Sequence, residues 1–143
     1  MAKNGKWKTE KAKSIVMKEG IKALQIAGEN ILTEAINNAP IKSGTLRRSG
    51  TVTTGALPDG EAVFTAAEGG TDMSKAFPNP LSSSPEVYAS FNTPYARRQH
   101  EELDWNHPLG GGPKYLENAF NRNKTKSQKF IQARIERALR REE

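Results

Sequence analysis

Two imidazoles and three carboxylates fall within eight residues, at His100, Glu101, Glu102, Asp104 and His107. Nitrogen and oxygen donors at that density are what a divalent cation or a hydrolytic centre requires. The spacing argues against both. A helical zinc site sets its two histidines four residues apart with a glutamate after the first, whereas these stand seven apart and are followed by Pro108 and Gly110-Gly111-Gly112. The cluster therefore reads as a polar loop or subunit contact, and no catalytic, metal-binding or cofactor-binding residue is expected. Gly110-Gly111-Gly112-Pro113-Lys114 precedes a helix, where backbone amides attract anions. It lacks the spacing of a nucleotide loop and a Ser or Thr after the lysine, so a hinge is expected there.

Two basic pairs, Arg47-Arg48 and Arg97-Arg98, each stand beside a corner of the chain. Such pairs either line a channel for DNA, with salt-dependent and sequence-independent contact, or grip carboxylates bidentately across an interface. The second reading is preferred, with Glu101, Glu102 and Asp104 as partners. Trp7, Trp105, Tyr88 and Tyr95 are not interleaved with basic residues, so they are expected to anchor a core or an interface rather than stack on bases. The chain has no cysteine, which excludes disulfides, thiolate metal sites and thiol catalysis.

The elements that position these residues meet at Asn37-Asn38-Ala39-Pro40-Ile41-Lys42-Ser43-Gly44-Thr45-Leu46-Arg47-Arg48-Ser49. Proline moves Ala39 out of the helical region, so a helix must end at about Asn38, and Gly44 permits a backbone angle that branched residues avoid. Upstream, apolar or small residues at Val16, Gly20, Ala23, Leu24, Ala27, Ile31 and Ala35 recur at spacings of three and four, which predicts one amphipathic helix from about Thr9. Ile15, Ile21, Ile26, Leu32 and Ile36 widen its apolar stripe beyond one packed face, and a second contact surface is expected.

Downstream, Leu46 to Thr54 and Glu61 to Ala67 predict two strands joined through Pro58-Asp59-Gly60. Residues 68 to 85, rich in Gly, Pro and Ser, predict a long loop. Glu86 to Asn92 alternates, with Val87, Ala89 and Phe91 on one face, and predicts a strand. Pro94 then opens a short helix over Tyr95 to Glu102, and Pro113 a final helix that is interrupted between Asn121 and Gln128.

A length of 143 residues fits a single domain over residues 1–143, with a flexible basic arm at 1–8, a core at 9–120 and a basic C-terminal helix at 121–143. Hydrophobic content of 35% and a mean hydropathy of −0.73 are low for a self-sufficient core, so part of the surface is expected to need a partner. Charge is polarised along the chain. Residues 1–22 hold seven Lys and two Glu, and residues 122–143 hold eight Lys or Arg and three Glu, against a net negative middle. Such polarity suits subunits that dock basic arm on acidic body, or arms that face nucleic acid. No stretch approaches the ~18 apolar residues of a membrane span, so use in a soluble setting is expected.

The order of these segments resembles a known family. A helix ending in Ala39-Pro40-Ile41-Lys42-Ser43-Gly44-Thr45-Leu46-Arg47-Arg48-Ser49, a strand running into Thr93-Pro94-Tyr95-Ala96, then Gln99-His100-Glu101 and a late Pro113-Lys114-Tyr115-Leu116-Glu117-Asn118-Ala119 are similar to the minor capsid, tail-completion and head-to-tail joining proteins of long-tailed bacteriophages. The match covers most of residues 20–120. It departs where a Glu-x-Gly-Thr usually follows the Tyr-Ala and Gln99 to Asp104 stand instead.

The resemblance implies an α+β subunit, a long N-terminal helix packed on a small antiparallel sheet with a C-terminal helix and long loops. It further implies a non-enzymatic virion protein, made in the bacterial cytoplasm, that forms a homo-oligomeric ring, hexamer or dodecamer, in the neck or head-proximal tail end. Neighbouring connector or tail-terminator proteins, and non-specific contact with DNA in the channel, are the expected partners. Pro40, Ser43, Gly44, Leu46, Arg47, Arg48, Ser49, Tyr95, Ala96, Arg97, Arg98, Gln99, His100, Glu101, Lys114 and Tyr115 are the candidate structural and interface residues. The alternative is a small basic nucleic-acid-binding module.

Overall fold

The computed structural model describes residues 2–41, 44–69, 85–103, 107 and 110–141, with side chains from Lys8 onward. Ser43, Asp104, Trp105, Pro108, the side chain of Trp7 and most of the expected 68–85 loop lie outside the described residues.

Helix α1 runs from Ala2 to Asn38 and stops where Ala39-Pro40 requires. It begins seven residues before the expected Thr9, so the anticipated loose arm is helical. Its three lysines and Ala2 favour helix, Gly5 weakens it without ending it, and no proline stands there. Ala23, Ala27, Ile31 and Ala35, spaced four apart, form its most buried row, each 8% exposed or less.

After the corner, Thr45–Arg48 form a single helical turn, α2, and the strand β1 starts only at Gly50 and ends at Thr54. The expected strand over Glu61 to Ala67 is instead a helix, α3 (Gly60–Ala67). Asp59 decides this. Its carboxylate accepts the amide of Ala62 at 3.2 Å, which makes it a helix cap rather than a turn residue, and Val63 and Ala67 are buried one helical turn apart. The partner of β1 is therefore β2 (Val87–Phe91), antiparallel, with Thr51 opposite Ser90 and Val52 opposite Ala89.

The hairpin lies across α1. A Cβ on Gly50 would stand 3.0 Å from Leu32 Cδ1, one on Gly28 would stand 3.1 Å from Val52 Cγ1 and 3.2 Å from Val87 Cγ1, and Gln25 donates to Thr54 Oγ1 at 2.8 Å. Glycine at position 28 lets two valines sit directly on the helix backbone. Thr51 and Thr53 are buried on the opposite face, where Thr51 and Ser90 hydroxyls stand 3.1 Å apart.

Helix α4 (Ala96–Glu101) follows, with Tyr95 rather than Pro94 as its flanking residue. The last helix, α5, runs unbroken from Tyr115 to Arg141, so the interruption expected at Asn121 to Gln128 does not occur. No Gly or Pro stands in that stretch, and Asn123 is tied to Ala119 O at 2.7 Å and to Glu34 Oε2 at 3.1 Å. α5 packs antiparallel on α1, with Arg122 beside Glu34 and Arg134 beside Glu19. The result is a mixed α+β architecture, mostly helical, in which a long N-terminal helix carries a two-stranded antiparallel sheet and a C-terminal helix. No described helix is long and apolar enough to cross a membrane.

Candidate functional site

Three segments distant in sequence meet where α1 ends. Ala39, Leu46, Ala96 and Tyr115 form one buried cluster, with Phe91, Tyr95 and Leu116 packed against it. The rings of Phe91 and Tyr115 meet edge-on at 4.9 Å, and the Tyr115 hydroxyl donates to Ala96 O at 2.9 Å. Burial pushes that phenol above its ordinary pKa, so it stays a donor.

The two corner arginines have local acceptors. Arg47 donates from Nε to Ala39 O at 2.9 Å and from a terminal nitrogen to Asn37 O at 3.1 Å, while Arg48 Nε donates to Ala67 O at 2.9 Å. Adjacent residues thus cap the C-terminal ends of two helices, α1 and α3, where carbonyls lack intrahelical donors. Within the chain, then, Arg47 turns its guanidinium onto carbonyls of α1, and Arg48 its Nε onto the end of α3. Arg97 and Arg98 are exposed on α4.

Gly44 adopts φ 84°, and a Cβ there would stand 2.7 Å from an Arg48 terminal nitrogen. Pro40 and Ser49 are buried. Ser49 donates to Leu46 O at 2.7 Å and accepts the amide of Asn92 at 3.1 Å, while Asn92 Nδ2 donates to Ser49 O at 2.8 Å, which ties the corner to the end of β2.

The triple glycine is not a hinge. Gly112 N donates to Asn38 O at 3.0 Å and Ile41 N to Gly110 O at 3.2 Å, so the segment closes over the end of α1. Gly111 has φ 81°, and a Cβ there would meet Ala39 O at 2.3 Å. Backbone pressed on backbone is what requires glycine here.

His100, Glu101 and Lys114 join α4 to the start of α5. The amide of Glu117 donates to His100 Nε2 at 3.2 Å, which leaves the proton on Nδ1, facing Glu101 Oε1 at 2.7 Å. Lys114 Nζ donates to Glu101 Oε2 at 2.5 Å and lies 3.4 Å from Glu117, and its amide donates to His100 O at 2.8 Å. The Lys114 ammonium, then His100, holds the Glu101 carboxyl below its usual range, and Glu101 raises Lys114 in turn. Gln99 is half-buried in the same helix, and the Oε1 of its side chain and Nε2 of His107 are buried without a hydrogen-bond partner among the described residues. No group of three or more acidic, histidine or cysteine side chains among the described residues is arranged to hold a metal ion.

Beside this joint lies a groove of about 740 Å³. Its floor is α1 at Leu24, Ala27, Gly28 and Ile31, one wall is β2 at Val87 and Ala89, and the other is α5 at Leu116, Phe120 and Ile131. His100, Glu101 and Lys114 stand at its rim. Phe120 is 49% exposed within it. Sequence reasoning did not place this groove. The signal was the main apolar stripe on α1, at Leu24, Ala27 and Ile31.

The structure thus brings together nearly all of the candidate residues in one joint: the corner, α4 and Lys114-Tyr115 all converge on the end of α1. Comparison with protein-family models, with curated proteins and with solved structures gave no match in any of the three.

Proposed function

We propose that this chain is a structural protein of a tailed-phage virion, a tail-completion or head-tail connector subunit that works as a homo-oligomeric ring. The observation that supports it is an open apolar groove bordered by an unpaired strand edge. Among the described residues β2 pairs only with β1, so its other edge faces the groove, with α5 across from it and α1 beneath. An extended segment laid there gains backbone hydrogen bonds from β2 and apolar contact with Val87, Ala89 and Phe120. The occupant is a neighbouring copy of the chain.

A two-stranded sheet has two different edges. A contact that joins one edge to something other than itself is heterologous, and heterologous contacts close into rings when the rotation permits. Leu24, Ile131 and the 49% exposed Phe120 along the groove supply apolar surface, and Val16 and Met17 are each 41% exposed elsewhere on α1. The motif residues Pro40 to Ser49, Tyr95 to Glu101 and Lys114-Tyr115 do a different job in this reading: they fix the angle at which α1, the sheet and α5 meet, so that each copy presents the same wedge.

The test is electron microscopy of particles made without this protein. Filled heads and complete tails that fail to join are expected; normal infectious particles end the proposal.

A further inference from the structure

Six basic residues stand on one face of α5: Arg122, Lys126, Lys129, Arg137, Arg140 and Arg141 are all exposed. At 100° per residue, successive steps of four, three, eight, three and one keep them within about a third of the helix circumference. From Arg122 to Arg140 the row spans roughly 27 Å at 1.5 Å per residue. The opposite side of α5, at Ile131, Ile135 and Leu139, is partly buried where the helix packs on α1. Two of the six have carboxylate neighbours, Arg122 with Glu34 at 3.6 Å and Arg140 with Glu136 at 3.8 Å, while Glu19 is taken by Arg134, which donates to it at 3.1 Å from outside the row. Because α1 and α5 are antiparallel, the lysines of the N-terminal half of α1 lie at the same end of the helix pair.

We infer that this outer face of α5 binds the phosphate backbone of double-stranded nucleic acid without reading its sequence. The inference goes beyond the ring reading and does not depend on it. A row of cations on a rigid helix matches a polyanion with regularly repeating charge, and release of condensed counterions supplies the driving force. The face has no Tyr or Trp and little Asn or Gln to read base edges, and its single aromatic, Phe130, is 38% exposed, so contact with the backbone is favoured over base recognition. An acidic protein surface fits less well, because Glu86, Glu101 and Glu117 already have partners outside the row. A bilayer surface fits less well again, since the apolar side of α5 is occupied by α1.

The arrangement also relocates any DNA contact. Arg47 and Arg48, the pair beside the corner, are spent on helix carbonyls, whereas the α5 row points outward.

The test uses the purified full chain and a 30-base-pair duplex of arbitrary sequence. With about four to five phosphates contacted, affinity is expected to fall roughly 100-fold or more between 50 and 200 mM salt, equally for unrelated sequences. The K126E/K129E/R137E variant is expected to lose at least tenfold in affinity with an unchanged circular dichroism spectrum, and the neutral K126Q/K129Q/R137Q variant to lose less and show a shallower salt slope. Arg97→Ala, on α4, is expected to bind as the unaltered chain does. Salt-independent or absent binding by the unaltered chain, or full binding by both triple variants, overturns the inference. So does loss of self-association by those variants with no loss of DNA binding, which would assign the row to an acidic partner subunit instead.

Discussion

Arg47 reaches back across the corner to the helix it follows and donates from Nε to Ala39 O at 2.9 Å. That bond closes the end of α1 with a charge that the helix dipole favours, and it sets the direction in which the chain leaves for the sheet. Removing it should cost stability rather than chemistry. Arg47→Ala is expected to lower unfolding stability by about 1–3 kcal/mol, because partly buried carbonyls lose a charged donor. Arg47→Lys should recover only part, since an ammonium cannot reproduce the two-armed contact to Ala39 and Asn37. Urea unfolding of the two variants measures this, and a neutral result for Arg47→Ala would remove the cap from the account.

Gly111 and Gly110 separate two costs. Both have positive φ, 81° and 108°, but only Gly111 has backbone where a Cβ would go. Gly110→Ala should therefore cost only the conformational strain, about 1–2 kcal/mol. Gly111→Ala should cost clearly more, since Ala39 and Pro40 must move away. Equal denaturation midpoints for the two variants would mean that the glycine segment does not close on α1.

Tyr115 combines ring packing with one buried hydrogen bond to Ala96 O. Tyr115→Phe keeps the ring and should cost about 0.5–1.5 kcal/mol. Tyr115→Ala also leaves a cavity beside Phe91 and should cost about 3–5 kcal/mol. Thermal unfolding distinguishes the two contributions, and a Phe variant as damaged as the Ala variant would place the stabilisation in the hydroxyl.

The Glu101 pair gives a pH dependence with a definite sign. A carboxyl held below its ordinary range stabilises the fold above its unfolded pKa, and the contribution disappears as pH falls through the folded value. Lys114, raised by the same contact, keeps its contribution until pH climbs through its own folded pKa. Glu101→Gln should therefore unfold more easily than the unaltered chain at neutral pH and match it in acid below the usual carboxylate range. The pair is exposed, so high salt should shrink the gap. A gap that widens in acid would reverse the assignment.

Much of the fold was legible where one residue type settles the matter. Pro40 fixed the end of α1, the alternation of Val87 to Phe91 fixed β2, and φ 84° at Gly44 is what the corner demanded. The strand expected over Glu61 to Ala67 failed because β-prone and helix-prone readings of Ala-Val-Phe-Thr-Ala are nearly equal, and the Asp59 cap tipped the balance. The break expected in α5 from the gap in its apolar stripe between Asn121 and Gln128 does not occur, because a helix can continue through a polar stretch. Most of these residues are exposed, Asn123 is held by Ala119 and Glu34, and no Gly or Pro interrupts the stretch.

The candidate residues were found as a set, but their physical roles were not. Which carbonyl an arginine caps, 8 to 19 residues away, or that Gly111 meets Ala39 from a distant segment, depends on tertiary contacts, and local pattern carries no such information. The groove was signalled only indirectly, since its α1 side is the main apolar stripe at Leu24, Ala27 and Ile31, while Leu32 and Ile36 of the surplus pack against the sheet at Gly50.

The central claim is that the groove is completed by a second copy of the chain, and the mass of the purified protein in solution tests it most directly. Sedimentation equilibrium over rising concentration should give a closed multiple of the 15.7 kDa chain, and Phe120→Asp, at a half-exposed position inside the groove, should return the mass to that of one chain with its circular dichroism unchanged. A mass of one chain at every concentration, or an assembly indifferent to Phe120→Asp and to Ala89→Lys on the opposite wall, would contradict it.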